Sequence, residues 1–423
     1  MRILYITERL PYPLDNGGNV RSYHILEGLT DEQEVTVVSG SQGEVSQLDI
    51  NAINALGAQV FIVPLQKRSL AFELRAAFQS IISRQSLMLA RHFDQGMLCS
   101  LMEILNSQSG KFDAIHFNHL DAAIYASKLP IGPYRVVDQH NVVSRQLRTT
   151  IPSERSMLKR FAMQTDLGPL IREERTICNS MDLCLTCSFN DADVLRELGV
   201  HRPIVVVPNG VDTKYFGGSW APQRKATEVI FVGTLDYQPC EVAVWDFATE
   251  ILPLLRKAVP EVCFVVVGRN PSHRLKQLAE RDRFIELTGR VEDVRPFMER
   301  ARVVVVPLKG GSGTRLKILE AFSIGVPVVT TTIGVEGIEA VDGKHLLIAD
   351  STIDFAASVR KLIEDPALAQ RIGDAGRDLV RGKYSWHAAQ LALRAAYQSL
   401  PVAAQSYLSP YLYNIKRNNS ERG

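Results

Sequence analysis

The 423-residue sequence predicts an α/β protein made of two doubly wound units in tandem. Three observations carry that prediction. Short continuous apolar runs recur along the chain, helical stretches separate most of them, and the alternation begins afresh near Ile204. Parallel strands covered by helices on both faces have this look, because neither side of the strand meets water.

The first run, "RILYIT", passes through the Gly-containing loop "PYPLDNGGN" into a helix, "VRSYHILEGLT", and a second run, "EVTVVSG". This is a β–loop–α–β unit. "AQVFIVPL", "FDAIHFN", "YRVVDQHN" and "MDLCLTCS" supply further strands. "PIVVVPNGVD" and "EVIFVGTLDY" open the second unit, which continues through "VWDFATEILPLLRKAV", "VCFVVVGRNP", "RLKQLAE", "FIELTGRV", "VRPFMERA", "RVVVVPLKGG", "GTRLKILEAFSIG" and "PVVTTTIG". The boundary falls around residues 200–225, which are rich in Pro, Gly and polar residues. The division expected is 1–205 and 206–384, then a last helical block from about 385 to 400 and a frayed polar tail over 401–423.

Composition narrows the function. Apolar residues make up 46% and charged residues 22%, ordinary for a globular chain, and the net charge of +2 argues against broad nucleic-acid binding. Six cysteines are too sparse for a disulfide framework and fit a reducing compartment. Cys184 and Cys187 form a C-x-x-C inside an apolar run, where buried core thiols are expected rather than a redox or metal pair. Glu8 and Arg9 interrupt the apolar N-terminus, and no uncharged run reaches the ~20 residues that span a bilayer, so a cytoplasmic protein is expected. Gln66–Gln85 mixes apolar and basic residues at helical spacing; an ordinary amphipathic surface helix is the preferred reading, contact with an anionic membrane surface the alternative.

Ligands of open α/β sheets bind beyond the carboxyl ends of the strands, so the loops there are the functional candidates. In "GGSGTRLKILEAFSIGVPVV" (310–329), Gly310, Gly311 and Gly313 let backbone N–H groups approach a ligand, with a helix start behind them. Ser312 or Thr314 can cap that helix, which puts Arg315 and Lys317 in its first turn. Cations oppose the helix dipole there, and a bound diphosphate would reverse the sign. Glu320, about one turn on, can accept hydrogen bonds from vicinal ribose hydroxyls. The alternative is a capped surface helix with a Lys317–Glu320 ion pair.

"PNGVDTKYF", "VIFVGTLDY", "LTGRVEDVRPFMERARVVVVPL" and "GTRLKILEAFSIGVPVVTT" resemble the donor-binding half of the GT-B glycosyltransferases of family four, and the sequence is similar to their exopolysaccharide-cluster subgroup. The resemblance implies two facing Rossmann-like domains, with the final block from about 385 crossing back onto the first. It also implies a retaining transfer from a nucleotide sugar, UDP favoured over GDP, to a glycan or lipid-linked acceptor. Neither metal nor cofactor is implied, and peripheral contact with the inner face of a membrane remains open.

By that resemblance Gly233, Thr234, Val291, Gly311, Ser312, Gly313, Thr314 and Glu320 bind the donor. The family pattern pairs two glutamates separated by seven residues. The second matches Glu320, while the first falls at Ser312, which leaves the donor sugar open. Many relatives place Arg and Lys after the strand "VIFVGTLDY"; here Thr234 and Gln238 stand in that loop, and Arg315 and Lys317 are expected to stabilise the leaving diphosphate. Gly17 and Gly18 match the loop that approaches the diphosphate from the first domain, a tight turn being the alternative. His116 matches a histidine bordering the donor sugar, with Asn118 or His119 as the second member of an H-x-H, and "DQHNV", with His140 and Asn141, is expected on the acceptor side. Asp191-x-Asp193 follows Ser188 at a helix start and is read as capping, not as a metal motif. Two rivals on the same fold are a nucleotide-sugar 2-epimerase and a non-catalytic nucleotide-sugar-binding subunit. A nicotinamide dehydrogenase is disfavoured, because no G-x-G-x-x-G follows the first strand.

Overall fold

The computed structural model describes residues 1–107, 112–154, 156–217, 225–311 and 313–400; Ser312 and the expected tail 401–423 lie outside them. The first seven strands are β1 (Arg2–Thr7), β2 (Glu34–Ser41), β3 (Gln59–Pro64), β4 (Ala114–Asn118), β5 (Tyr134–Gln139), β6 (Leu183–Thr186) and β7 (Ile204–Val206). They form one sheet in the order β3-β2-β1-β4-β5-β6-β7, every pair parallel. The second sheet uses β8 (Glu228–Val232), β9 (Cys263–Val267), β10 (Ile285–Gly289), β11 (Val303–Val306), β12 (Val328–Thr330) and β13 (Leu347–Ile348). Its order is β10-β9-β8-β11-β12-β13, again all parallel.

The strands are buried because apolar residues fill both of their faces: β11 is "VVVV", fully covered, and β8 is "EVIFV", with even Glu228 buried. Serines start many of the intervening helices; Ser46, Ser86, Ser188, Ser272 and Ser385 each accept a backbone N–H of the first turn. The strand order reverses between β1 and β4 in the first sheet and between β8 and β11 in the second. Those reversals open a crevice at the carboxyl ends of the strands. Strand β13 was not expected from the sequence, since two residues are too few for a periodic signal.

The helix Trp386–Gln398 returns to the first sheet. Ala389, Leu393, Ala396 and Tyr397 share a core with Ile25, Leu26 and Leu29 of the helix Gly17–Thr30. Trp386 stacks on His24 at 4.4 Å, and Arg394 pairs with Asp31 at 2.7 Å.

Candidate functional site

The loop after β11 leads into the helix Leu316–Ile324. Arg315, expected in the first turn, takes the cap position instead, with extended backbone and no side-chain capping bond. Thr314 therefore does not cap, and Lys317 is the one of the two cations inside the first turn. Gly311 and Gly313 have φ of +94° and +81°, a left-handed conformation that favours glycine. A β-carbon on Gly311 would meet Tyr237 Oη at 2.6 Å and Arg315 Nη2 at 3.2 Å. The Arg315 guanidinium is buried behind this loop, where Nη2 donates to the Gly310 carbonyl at 3.4 Å. Burial lowers its pKa, opposed by Tyr237 and Glu336.

Lys317 reaches over the end of β8. Its Nζ lies 4.2 Å from the centroid of the Phe231 ring and 3.5 Å from Cys240 Sγ. Among the described residues it forms no ion pair, so the expected alternative partner, Glu320, does not take it up. Burial pushes the Glu320 carboxyl up to about 7, with the Lys317 charge pulling the other way. Thr314 Oγ1 is buried and has no hydrogen-bond partner among the described residues. Thr234 accepts from the Tyr237 amide at 3.4 Å and starts the turn into the helix Gln238–Asp246, while Val291 packs against the core beyond β10.

On the other side, the helix behind β1 begins at Gly17, three residues before the expected Val20, because Asn16 Oδ1 accepts the Asn19 amide at 3.0 Å. Gly17 and Gly18 thus form a helix start rather than a turn with positive φ. A β-carbon on Gly17 would lie 3.4 Å from Leu316 Cδ1, so the two glycine-opened helix starts face each other. A β-carbon on Gly313 would lie 3.4 Å from the His140 carbonyl and 3.8 Å from Asn141 Cβ. Arg145–Glu336 at 2.8 Å and Arg269–Asp15 at 3.0 Å bridge the halves beside this contact. The structure therefore brings Gly17, Gly18, His140, Asn141, Gly313 and the Leu316–Ile324 helix together.

His116 departs from expectation. It exposes no surface: its ring stacks on Tyr5 at 4.8 Å, and Nδ1 sits 2.7 Å from Tyr397 Oη under the returning helix. Burial pulls its pKa down to about 4, leaving it neutral. His119 and His140 occupy the strand ends instead, ring centroids 5.1 Å apart. His119 has φ +77° and ψ 169°, a region rarely held by residues with a side chain and typical of functional sites. Burial pulls its pKa down, but Asp121 outweighs that and the net shift is upward. His140 Nε2 donates to Asn118 Oδ1 at 2.9 Å, and burial lowers its pKa to about 3. Asn118 Nδ2 in turn reaches Thr7 Oγ1 at 2.9 Å and Ser22 Oγ at 3.0 Å, so one network ties β1, β4 and β5 to the Gly17–Thr30 helix.

Sequence reasoning missed Arg21. It is buried against Asp138, with Nε–Oδ2 at 3.1 Å, and its Nη1 donates to the Val207 carbonyl at 2.9 Å and Asn209 Oδ1 at 2.8 Å. The only signal was an arginine on the helix behind a glycine loop and an aspartate ending a strand. Asp191 accepts from Ser188 Oγ at 2.6 Å and its amide donates back at 3.1 Å, and Asp193 pairs with Arg196. Cys184 and Cys187 are both buried. Among the described residues, Glu8, His92 and Asp121 bring potential metal-ligand atoms within 4.8 Å of one another, although Arg68 at 3.2 Å from Glu8 and His119 at 3.6 Å from Asp121 already balance the carboxylates. A cavity of 270 Å³ opens beside them at the ends of β1 and β2, with Glu8, Arg9, Ser41 and Asp49 among its lining.

Two facing doubly wound domains with a returning helix, their glycine-opened helix starts turned on one crevice, define a GT-B fold. Residues 226–365 match the family model Glycosyl transferases group 1, and residues 15–215 match Glycosyltransferase Family 4. Each half of the chain thus matches a glycosyltransferase family model. Among curated proteins it is 28% identical over 236 residues to the glycogen synthase of Mycobacterium tuberculosis, covering 53% of this chain. The match spans 56% of that relative's length, little more than half. The phosphatidyl-myo-inositol mannosyltransferase of Mycobacterium leprae is 27% identical over 209 residues, 46% of this chain and 54% of that protein. Among solved structures, sucrose-phosphate synthase from Thermosynechococcus elongatus superposes with a TM-score of 0.69 at 17% identity, over 94% of this chain and 98% of the other. Anabaena HepE in complex with UDP-glucose gives a TM-score of 0.67 at 14% identity, over 95% and 100%.

Proposed function

We propose that the protein is a retaining glycosyltransferase that moves a sugar from a nucleotide sugar, a UDP-sugar in the first instance, to a glycan or lipid-linked acceptor in surface or exopolysaccharide synthesis. The observation that carries this is Lys317: an ammonium without a carboxylate partner among the described residues, in the first turn of a helix behind a glycine loop, facing a second glycine-opened helix start. Backbone N–H groups and a cation converging on one crevice suit a diphosphate. Glu320 takes the ribose hydroxyls, and Gly17, Gly18, Gly233, Thr234, Val291, Gly311, Ser312, Gly313 and Thr314 shape the donor site. Arg315 supports the loop from behind and adds its field to the diphosphate. His119, His140 and Asn141 border the sugar and the incoming hydroxyl; neutral His116 supports β4 from beneath.

In the reaction the bond from the anomeric carbon to the phosphate oxygen breaks, and a bond to the acceptor oxygen forms on the same face. The acceptor proton passes to the departing phosphate oxygen, so no separate protein base is needed. Charge grows on the diphosphate as the bond breaks, which is where Lys317 and the helix starts act. The UDP-bound and UDP-glucose-bound HepE structures support a UDP donor, and the inositol-lipid mannosyltransferases among the relatives support a lipid-linked acceptor.

A thermal-shift screen of UDP- and GDP-sugars, followed by turnover of the best donor with glycan and lipid-linked acceptors, tests the reading, since a ligand that binds the native state stabilises it. Nucleotide-sugar binding with transfer of label to an acceptor supports it. Epimerised donor formed without acceptor, or binding without turnover across acceptors, would replace it with one of the two rivals.

A further inference from the structure

The segment expected to be an ordinary amphipathic surface helix forms the helix Leu70–Ser83, but its apolar stripe points outward. Leu70, Leu74, Phe78 and Ile82 recur every four residues, while Ala76 and Ser80 face inward. A surface helix ordinarily turns its apolar stripe to the core. The helix Met157–Asn179 likewise exposes Met157, Leu158 and Phe161 in its opening turns. The seven side chains are each between 64% and 79% exposed. The short helix Leu87–Ala90, which packs against Leu70–Ser83, is pinned to Met157–Asn179: Asp166 accepts from Ser86 Oγ at 2.9 Å and from the Leu87 amide at 2.7 Å, while Glu173 accepts from the Ser86 amide at 2.9 Å. These half-buried bonds link both apolar segments through one connecting helix.

The exposed charges beside the stripe are cationic. Lys67, Arg75, Arg84 and Lys159 are exposed beside the apolar residues. The acid on the first helix, Glu73, is already engaged by Arg91 at 2.6 Å. An exposed apolar stripe of this kind marks an interaction surface. Rimmed by cations, it matches a bilayer whose headgroups are anionic, where apolar insertion and electrostatic attraction add. No described helix is long and apolar enough to cross a membrane, so the contact is with the surface.

We propose that the exposed side chains Leu70, Leu74, Phe78, Ile82, Met157, Leu158 and Phe161 dock the first domain onto an anionic lipid surface. None of these side chains is among the residues assigned to the donor site.

Sedimentation of the full chain with extruded vesicles tests this. Vesicles of equal parts phosphatidylglycerol and phosphatidylcholine are expected to bind it, pure phosphatidylcholine to bind it at least tenfold less, and added salt to release it. Phe78→Glu and Phe161→Glu are each expected to cut binding at least tenfold, and Arg75→Gln with Arg84→Gln to weaken it and flatten the salt dependence. These side chains are exposed, so the melting temperature and UDP affinity should stay as in the parent protein, separating loss of docking from loss of fold and from failure of the donor assignment. Wild-type protein that does not sediment with anionic vesicles, or variants that bind as well as the parent, would overturn the proposal. So would a dimer in light scattering that Phe78→Glu dissociates, if vesicles are not bound; the face would then join two copies of the chain.

Discussion

A β-carbon on Gly233 would lie 2.4 Å from Nζ of Lys317. Glycine at the end of β8 is therefore what lets the ammonium settle over Phe231. Lys317→Ala should weaken UDP binding by about 1.5–3 kcal/mol, the range for a hydrogen bond to a charged group. Gly233→Ala should weaken it less, because the far end of a lysine can swing aside. Titration calorimetry checks both, and an unchanged affinity in Lys317→Ala would remove that residue from the diphosphate site.

Arg315 makes a contrasting case. Its guanidinium is buried beneath Gly310 and Gly311, near Tyr237 and Glu336. Arg315→Ala should weaken nucleoside-diphosphate binding by about 1.5–3 kcal/mol and also lower the melting temperature, since the loop loses its support. Lys317→Ala should change affinity with little change in melting temperature. Equal melting temperatures in the two variants would place both cations in the same role.

Glu320 predicts a pH effect. Its carboxyl sits at about 7 in the folded chain, against about 4.3 for an ordinary glutamate. The unfolded state releases this proton first, so stability falls as pH rises from about 4.3 towards 7 and levels off above. Glu320→Gln should remove that slope, raise the melting temperature of the ligand-free protein at pH 8 by about 2–4 °C per kcal/mol recovered, and weaken UDP binding. Melting curves from pH 5 to 8, with and without UDP, measure all three. A slope that persists in the glutamine variant would move its origin elsewhere.

Much of the fold could be read from the sequence because parallel strands announce themselves as apolar runs and the glycine loops lie where those runs end. The glycine loop after β11 and the helix start that carries Lys317 were legible for the same reason. What escaped depends on contacts distant in sequence. His116 reads as a strand-end residue, yet its partner Tyr397 lies 281 residues away on the returning helix, and that packing decides which way the ring faces. His119 carries the strained backbone, which no residue type announces. The stripe Leu70–Ile82 has helical spacing, and periodicity alone cannot say whether it faces core or solvent. The Arg315 cap position depends on where the glycine loop exits, a matter of one residue.

Arg21 and Asp138 provide the last test. They are 117 residues apart and fully buried, and the arginine also holds Val207 and Asn209, at the start of the passage between the two domains. Removing one partner of such a pair leaves a charge buried without compensation, which costs about 3–5 kcal/mol. Asp138→Asn should show a loss of that order in urea unfolding, whereas Arg21→Met combined with Asp138→Leu should lose less, because no charge is stranded. Burial pushes the Asp138 carboxyl up, but the Arg21 guanidinium outweighs it and holds its pKa below the ordinary carboxylate range. The pair's stabilisation is therefore present above about pH 4, the unfolded value, and is lost as pH falls further towards the folded value. The parent protein should lose stability on acidification below pH 4 more steeply than the double variant. Parallel acid profiles would show that the pair contributes nothing beyond packing.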